Sequence, residues 1–302
     1  MRGSLPENVD PAGAQSHRAA LTNRTSFLLR RNCTAAIAHR KTGPLVQDAR
    51  QSGRSKVKSV VALMLTFSAA IVDIVGYIAV YHWFVAHMTG DTVHLGHQLA
   101  TGKWGEAEKG ATVIGSFILG SIIGRAVIEA GARRRQRAIA SVTLIAEAAL
   151  IVAFICIRSF VVRSQETPPA TLLVLLALLA AAMGLQTATL TKIGPLTIHT
   201  TFVTGMLNKF AEAISEWFFW LYDQRQSGNP LRGSSRHPAF RNAGFMVLIW
   251  VSYMFGSVTG TWTYSHWSVL VLYLPVTVLM ISAAIDHWRP LALEEEKEQT
   301  RI

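Results

Sequence analysis

Asp73 is the sharpest chemical feature of the sequence. It lies inside the apolar run Ser59–Tyr81, about 22 Å along a helix that rises 1.5 Å per residue. A carboxylate at such a depth is costly, and acids inside membrane segments usually mark ion or substrate paths. A carboxyl there can bind and release a proton. The competing role is structural, with Asp73 hydrogen-bonded to a neighbouring helix. In the second half of the chain Gln186 takes the comparable place. Gln cannot titrate, so proton coupling through these two positions is one-sided. Two Thr-Gly pairs lie nearby in sequence. Thr89, Gly90 and Asp91 surround the first, and Thr187, Thr200, Thr201, Thr204, Gly205 and Asn208 supply polar atoms around the second. Gly194 and Pro195 separate the preceding apolar run from that region. Broken membrane helices expose backbone dipoles that ligate ions or polar solutes. Ordinary interhelical hydrogen bonding by Ser and Thr is the plainer reading of each hydroxyl.

Three further groups have spacing that chemistry can use. His87, Asp91 and His94 fall at i, i+4 and i+7. On a helix they share one face, and two imidazoles with a carboxylate can hold zinc or a similar ion. Polar side chains at a membrane surface are the alternative. Arg125 and Glu147 lie in adjacent apolar runs, about 9 and 12 Å from their connecting turn. Burying either charge alone is costly, so the sequence predicts a structural ion pair. No Cys-x-x-Cys, His-Glu-x-x-His, P-loop or Gly-x-Ser-x-Gly pattern is present. The sequence therefore implies no enzyme and no cofactor.

The elements that must position these groups are apolar runs. Half of the residues are hydrophobic and only 16% are charged, against about 25% in ordinary soluble domains. Six runs are long enough for the ~20 residues a membrane helix needs. They are Ser59–Tyr81, Ala111–Ala132, Ile139–Ile157, Thr171–Leu190, Ala243–Trp262 and Ser268–Ile285. The alternation of a membrane β-barrel is absent. Trp83–Ala100 and Thr197–Leu221 are ambiguous: each fits an interfacial helix, a re-entrant helix or a poor span. The second has an apolar stripe at helical spacing through Phe202, Met206, Phe210, Ile214, Trp217 and Leu221.

The net charge of +11 follows topology and does not mark a nucleic-acid surface. Basic residues gather before Lys58, at Arg133–Arg137 and between the fourth and fifth runs. With six spans all of these fall on one side, together with the C-terminal tail. Positive residues mark the cytoplasmic side, so both termini are expected in the cytoplasm. The implied location is the bacterial inner (plasma) membrane. Residues 1–57 form a basic tail without the apolar core of a signal peptide. That composition fits a disordered cytoplasmic tail, a mitochondrial transit peptide or a misplaced start codon.

The chain also repeats itself. Ser116, Gly120 and Gly124 line up with Ser252, Gly256 and Gly260, and Met88-Thr89-Gly90 with Val203-Thr204-Gly205. Small residues at every fourth position let membrane helices approach closely. Three spans per repeat is an odd number, so the second repeat enters the membrane from the opposite side, as in many secondary transporters. The expected organisation is a first three-helix repeat over 58–158 and a second over 170–286, with a polar loop at 222–242 and a charged tail at 287–302. The small-residue stripes place the second and fifth spans at a pseudo-twofold axis or at a homo-oligomer contact.

The stretch from Val72, VDIVGYIAVYHWFVAHMTGDTVHLG, resembles the first signature of the YoaK-like family (domain-of-unknown-function family 1275). MGLQTATL followed by TTFVTGML, from Met183, resembles its second. The resemblance covers about residues 58–286. It implies a multi-pass membrane protein and leaves the activity open. Asp91 and Thr187 stand where the resemblance leads one to expect Asn.

The fold expected is thus an all-α membrane protein of six spans in two inverted repeats, each with a Thr-Gly segment. The expected partners are the lipid bilayer and an unknown small solute. The leading function is a small-solute transporter or permease, with Asp73 as the candidate for proton coupling. A structural or partner-binding protein without transport is the second reading. A metal-binding protein using the His87 face is the third.

Overall fold

The structure, a computed structural model, describes residues 56–80, 82–134, 136, 138–161, 168–189, 192–193, 196–197, 203–228 and 234–288. Thr200, Thr201, Gly194, Pro195 and nearly all of both tails lie outside the described residues.

Five helical segments are long and apolar enough to cross a membrane. They are α1 (Lys56–Ala79), α3 (Trp104–Arg133), α4 (Ile139–Val161), α5 (Pro169–Thr189) and the stretch Pro238–Trp288. The last joins the two final runs that the sequence separates. It consists of α7 (Pro238–Trp267), a 3-10 turn (Ser268–Leu272) and α8 (Tyr273–Trp288). Ser268 adopts φ +51°, a left-handed conformation that ends the α-helical ladder. The 3-10 turn then carries the chain into α8 without an open loop. Two other helices, α2 (Met88–Ala100) and α6 (Val203–Gln226), are not among the candidate spans. The remaining regular structure among the described residues is a two-residue antiparallel pairing of Lys192–Ile193 with Leu196–Thr197 and a 3-10 turn at Ser234–Arg236.

Local chemistry sets several boundaries. Gly102 has φ +69°, and its N–H and that of Lys103 donate to the Leu99 and Gln98 carbonyls. This is the Schellman arrangement that closes α2 and frees the chain to begin α3. Pro238 opens α7, where a missing N–H costs nothing, and the His237 ring accepts the Ala239 N–H. Asp286 of α8 accepts both the N–H and the hydroxyl of Ser141, at 2.8 and 2.9 Å. The amide of Ser141 lies in the first turn of α4 and has no intrahelical partner, so a distant carboxylate caps this helix.

Close contacts fix the relative directions of the helices. Ser252 donates to the Leu63 carbonyl, and Gly256 and Gly260 pack on Phe67 and Ile74, so α7 runs parallel to α1. Gln186 donates to the Leu65 carbonyl while Gly76 lies near Leu179, so α5 runs antiparallel to α1. Gly120 and Gly124 pack on Ala181 and Ala188, which makes α3 parallel to α5. Thr143 and Asp286 place α4 antiparallel to α5 and α8, respectively, because Ser141 meets Asp286 and Thr143 meets Thr189 at the N-terminal end of α4. A methyl group on Gly120 would strike the Ala181 backbone, and one on Gly256 would lie 2.5 Å from the Phe67 carbonyl oxygen. Glycine is required at both points. The core, from Leu65 and Ile71 through Phe154 to Leu179 and Met183, lies among these helices. Large apolar side chains elsewhere point outward, including Ile118, Leu119, Ile122, Val251, Phe255 and Val258. On α3 and α7 they form the continuous apolar exterior that a lipid environment accommodates.

Candidate functional site

After α1 the chain turns through His82, at φ +66°, and folds back along the helix it has left. Gly76 admits Val85, whose methyls would lie 3.2 Å from an added Cβ. Gly110 of α3 leaves room for the Trp83 ring. Both inserted side chains are buried. Trp83 stacks on His94 with ring centroids 4.3 Å apart, and its indole N–H donates to Glu106 at 3.3 Å.

Asp73 fastens this returning segment. Its Oδ1 accepts the N–H groups of Val85 and Ala86, each at 2.9 Å. Its Oδ2 lies 2.6 Å from His87 Nδ1 and accepts the Tyr253 hydroxyl at 2.9 Å. One buried carboxylate therefore joins α1, the returning loop and α7. Every contact it makes holds the loop or α7.

Asp91, on the first turn of α2, completes the cluster. It is buried, and its Oδ2 has no hydrogen-bond partner among the described residues. Burial pushes its carboxyl up to about 7, and the nearby Asp73 charge adds to this; His87 and the Phe84 backbone pull the other way. The hydrogen bond that His87 gives to Asp73 raises its imidazole above the ordinary value against the effect of its burial. The His87 side chain remains 44% exposed. The arrangement sets two carboxylates near one imidazole, with that imidazole open to the surroundings. Such a group exchanges protons near neutral pH.

The other expected residues fall in several places. Gln186 is fully buried, gives its amide N–H to the Leu65 carbonyl at 2.7 Å, and does not meet Asp73. Thr187 donates to the Met183 carbonyl of its own helix. Thr89 and Gly90 are exposed in the first turn of α2, and Thr204 and Gly205 occupy the same turn of α6, with Thr204 exposed. Ser116 is half-buried on α3.

Two expectations are corrected. Arg125 is exposed, whereas Glu147 is fully buried with neither oxygen hydrogen-bonded among the described residues, so the pair does not form. Gly124 faces α5, and the next residue is turned about 100° away from that seam at 3.6 residues per turn. Depth alone placed the two charges together; helical phase separates them. The His87, Asp91 and His94 side chains do not form a metal-holding group among the described residues. His94 turns to Trp83 and to Gln98, 2.7 Å away, while His87 turns to Asp73.

Sequence reasoning missed Tyr253, Trp83 and Asp286. Tyr253 follows Ser252 in the small-residue stripe, and a hydroxyl in such a seam was its available signal. Asp286 ends an apolar run, where a lone carboxylate signals a cap for another helix.

A family described as "Protein of unknown function (DUF1275)" matches residues 61–285. A transmembrane protein of Bacillus subtilis (strain 168), described as "UPF0700 transmembrane protein YoaK", is 32% identical over 162 residues. That match covers 52% of this chain and 67% of the relative. No solved structure matches the chain. The apolar helices and the transmembrane relative agree on an integral membrane protein.

Proposed function

This chain belongs to the DUF1275 family, and we propose that it is a small-solute transporter of the bacterial plasma membrane, built from two inverted three-helix repeats. In this reading α1, α3, α4, α5, α7 and α8 cross the bilayer in alternating directions. Both termini are cytoplasmic, α2 lies at the outer face and α6 at the inner face.

The observation that carries the reading is an exchange between the halves. Gly120 and Gly124 of α3 pack on Ala181 and Ala188, on the first helix of the second half. Gly256 and Gly260 of α7 pack on Phe67 and Ile74, on the first helix of the first half. Ala181 and Ala188 follow Phe67 and Ile74 by one common shift in sequence. Leu185, beneath Gly124, follows Ile71, beneath Gly260, by the same shift. The two seams are thus copies of one contact, while α5 runs opposite to α1. Inverted repeats of this kind underlie many secondary transporters, whose sites lie where the repeats meet. In this register the counterpart of Asp73 is Thr187 and not Gln186.

Asp91 is the proton acceptor of the proposed coupling, and Asp73 is the fixed group that holds the cluster around it. Loading Asp91 with a proton removes one of two neighbouring negative charges and favours a second packing of the returning loop. The complete hydrogen bonding of Asp73 favours a second reading, in which this cluster only braces a structural or partner-binding protein.

Reconstituted liposomes carrying an internal pH dye separate the two. Amino acids, sugars, organic anions and organic cations are supplied outside in turn. Transport predicts acidification with at least one class, abolished in Asp91→Asn. A protein that moves neither protons nor labelled solute from any class, yet unfolds normally, is the structural one.

A further inference from the structure

Away from that outer cluster, four helices carry polar atoms that have no hydrogen-bond partner among the described residues, at neighbouring turns of the bundle. They are Ser68 Oγ on α1, both carboxylate oxygens of Glu147 on α4, Gln186 Oε1 on α5 and Ser282 Oγ on α8. All four residues have 0% exposure. Neighbouring bonds fix their heights. The Thr143 and Thr189 hydroxyls are 2.9 Å apart. Glu147 lies one turn beyond Thr143 and Gln186 one turn before Thr189, on antiparallel helices, so the two face each other at one level. Gln186 donates its N–H to Leu65, which leaves its carbonyl oxygen as the unpartnered atom; Ser68 is one turn above Leu65 on the same face. Asp286 is fastened to Ser141, and Ser282 is one turn above Asp286.

The donor set is all oxygen, with a single negative charge. Nitrogen and sulfur are absent from it. Hard cations take such ligands, and a lone carboxylate balances one positive charge rather than two. An ionised carboxylate in hydrocarbon without a partner is prohibitively costly, and Arg125 is turned outward. Buried polar atoms without partners are where unseen ions or waters belong. We propose that Glu147, Gln186, Ser68 and Ser282 bind one monovalent cation, Na+, at the centre of the bundle. This site does not depend on the transporter reading, because binding is measured without flux.

The titratable groups on the packed helices are few. Asp286 of α8 is held by Ser141 one turn below Ser282. Asp73 and Lys58 lie about 8 and 15 Å along α1 from Ser68 at 1.5 Å per residue. α5 carries none, and the nearest charge on α3, Arg125, is exposed.

The test uses the purified full chain in detergent. Thermal unfolding is followed as NaCl replaces choline chloride at constant ionic strength, at pH 8 and at pH 5.5. If the occupant is Na+, Tm rises saturably with Na+ at pH 8, the rise shrinks at pH 5.5, and E147Q abolishes it. The S68A/S282A double variant keeps the charge and weakens the apparent Na+ affinity about tenfold, as lost ligand support does elsewhere. A Tm that does not respond to Na+ at either pH overturns the proposal, as does an Na+ response that is the same in wild type, E147Q and S68A/S282A. If E147Q does not fold, the double variant alone decides, through the Na+ affinity.

Discussion

Asp73 takes hydrogen bonds from two amides, an imidazole and a phenol that belong to two other segments of the chain. Removing its charge weakens all of them together. Asp73→Asn is expected to cost about 3 kcal/mol, since bonds to an ionised group are the stronger kind. Tyr253→Phe loses one such bond and leaves the carboxylate its other three, so about 1–2 kcal/mol is expected. Thermal unfolding of the two variants checks the order, and equal losses contradict it. The neighbouring acid behaves oppositely. The Asp91 carboxyl is up at about 7 in the folded chain against 3.8 for the free group, so the folded state binds the extra proton. Its contribution to stability is present below 3.8 and is lost as pH rises toward 7. The Asp73–His87 contact has the same sign, because a raised imidazole stabilises below its unfolded value of 6.5 and ceases to as pH climbs through the folded one. Tm is therefore expected to fall as pH rises from 5 to 8, and Asp91→Asn to flatten most of that slope below pH 7. A slope unchanged in Asp91→Asn removes it from the titration. The sequence made Asp73, His87 and Asp91 visible by residue type alone. Their grouping was not legible, because the loop that returns Val85 and His87 to α1 has no periodicity.

Helix contacts were more legible than helix partners. Lipid offers no hydrophobic drive between helices, so close seams demand small residues, and that demand is written as Ser116, Gly120 and Gly124 and again as Ser252, Gly256 and Gly260. Nothing local in those stripes says which helix lies across the seam. The structure supplies α5 for one and α1 for the other. The sequence separates the last two apolar runs before Ser268; the form of the join was not legible, and the φ of +51° there shows a 3-10 turn in place of an open loop. Glycine-to-alanine substitutions separate seam from surface. At Gly120 and Gly256 an added methyl meets backbone atoms that cannot swing aside, whereas at Gly244, on the same α7, it meets nothing within 4 Å. Gly120→Ala and Gly256→Ala are expected to destabilise by about 1–3 kcal/mol, the usual cost of overpacking. Gly244→Ala is expected to stabilise by about 0.5–1 kcal/mol through helix propensity. Chemical unfolding in mixed micelles reads the sign directly, and a destabilised Gly244→Ala beside a neutral Gly120→Ala reverses the assignment of the packed face.

For the molecule as a whole the decisive quantity is direction. Under the proposed inverted repeat, two copies of one seam, built on first helices that run opposite ways, put equivalent residues on opposite sides of a membrane. The Thr-Gly pairs make that testable. Thr89 is the second residue of α2 and Thr204 the second of α6, and both are exposed. Under the inverted arrangement α2 follows an outward crossing and α6 an inward one. Thr89→Cys and Thr204→Cys, each in a chain whose Cys33 and Cys156 are replaced by Ser, therefore report opposite compartments. In intact cells a membrane-impermeant maleimide is expected to label Thr89→Cys and to spare Thr204→Cys. In inside-out vesicles the pattern reverses. The charge distribution supports the same orientation, since Arg133 and Arg134 at the end of α3 lie on the side that retains positive residues. Labelling of both cysteines from one side makes the two halves parallel, and the matched seams are then two similar contacts without the symmetry that alternating access requires. Opposite labelling leaves the halves free to exchange roles, with α5 and α1 as the paired elements about which the packing of one half replaces that of the other.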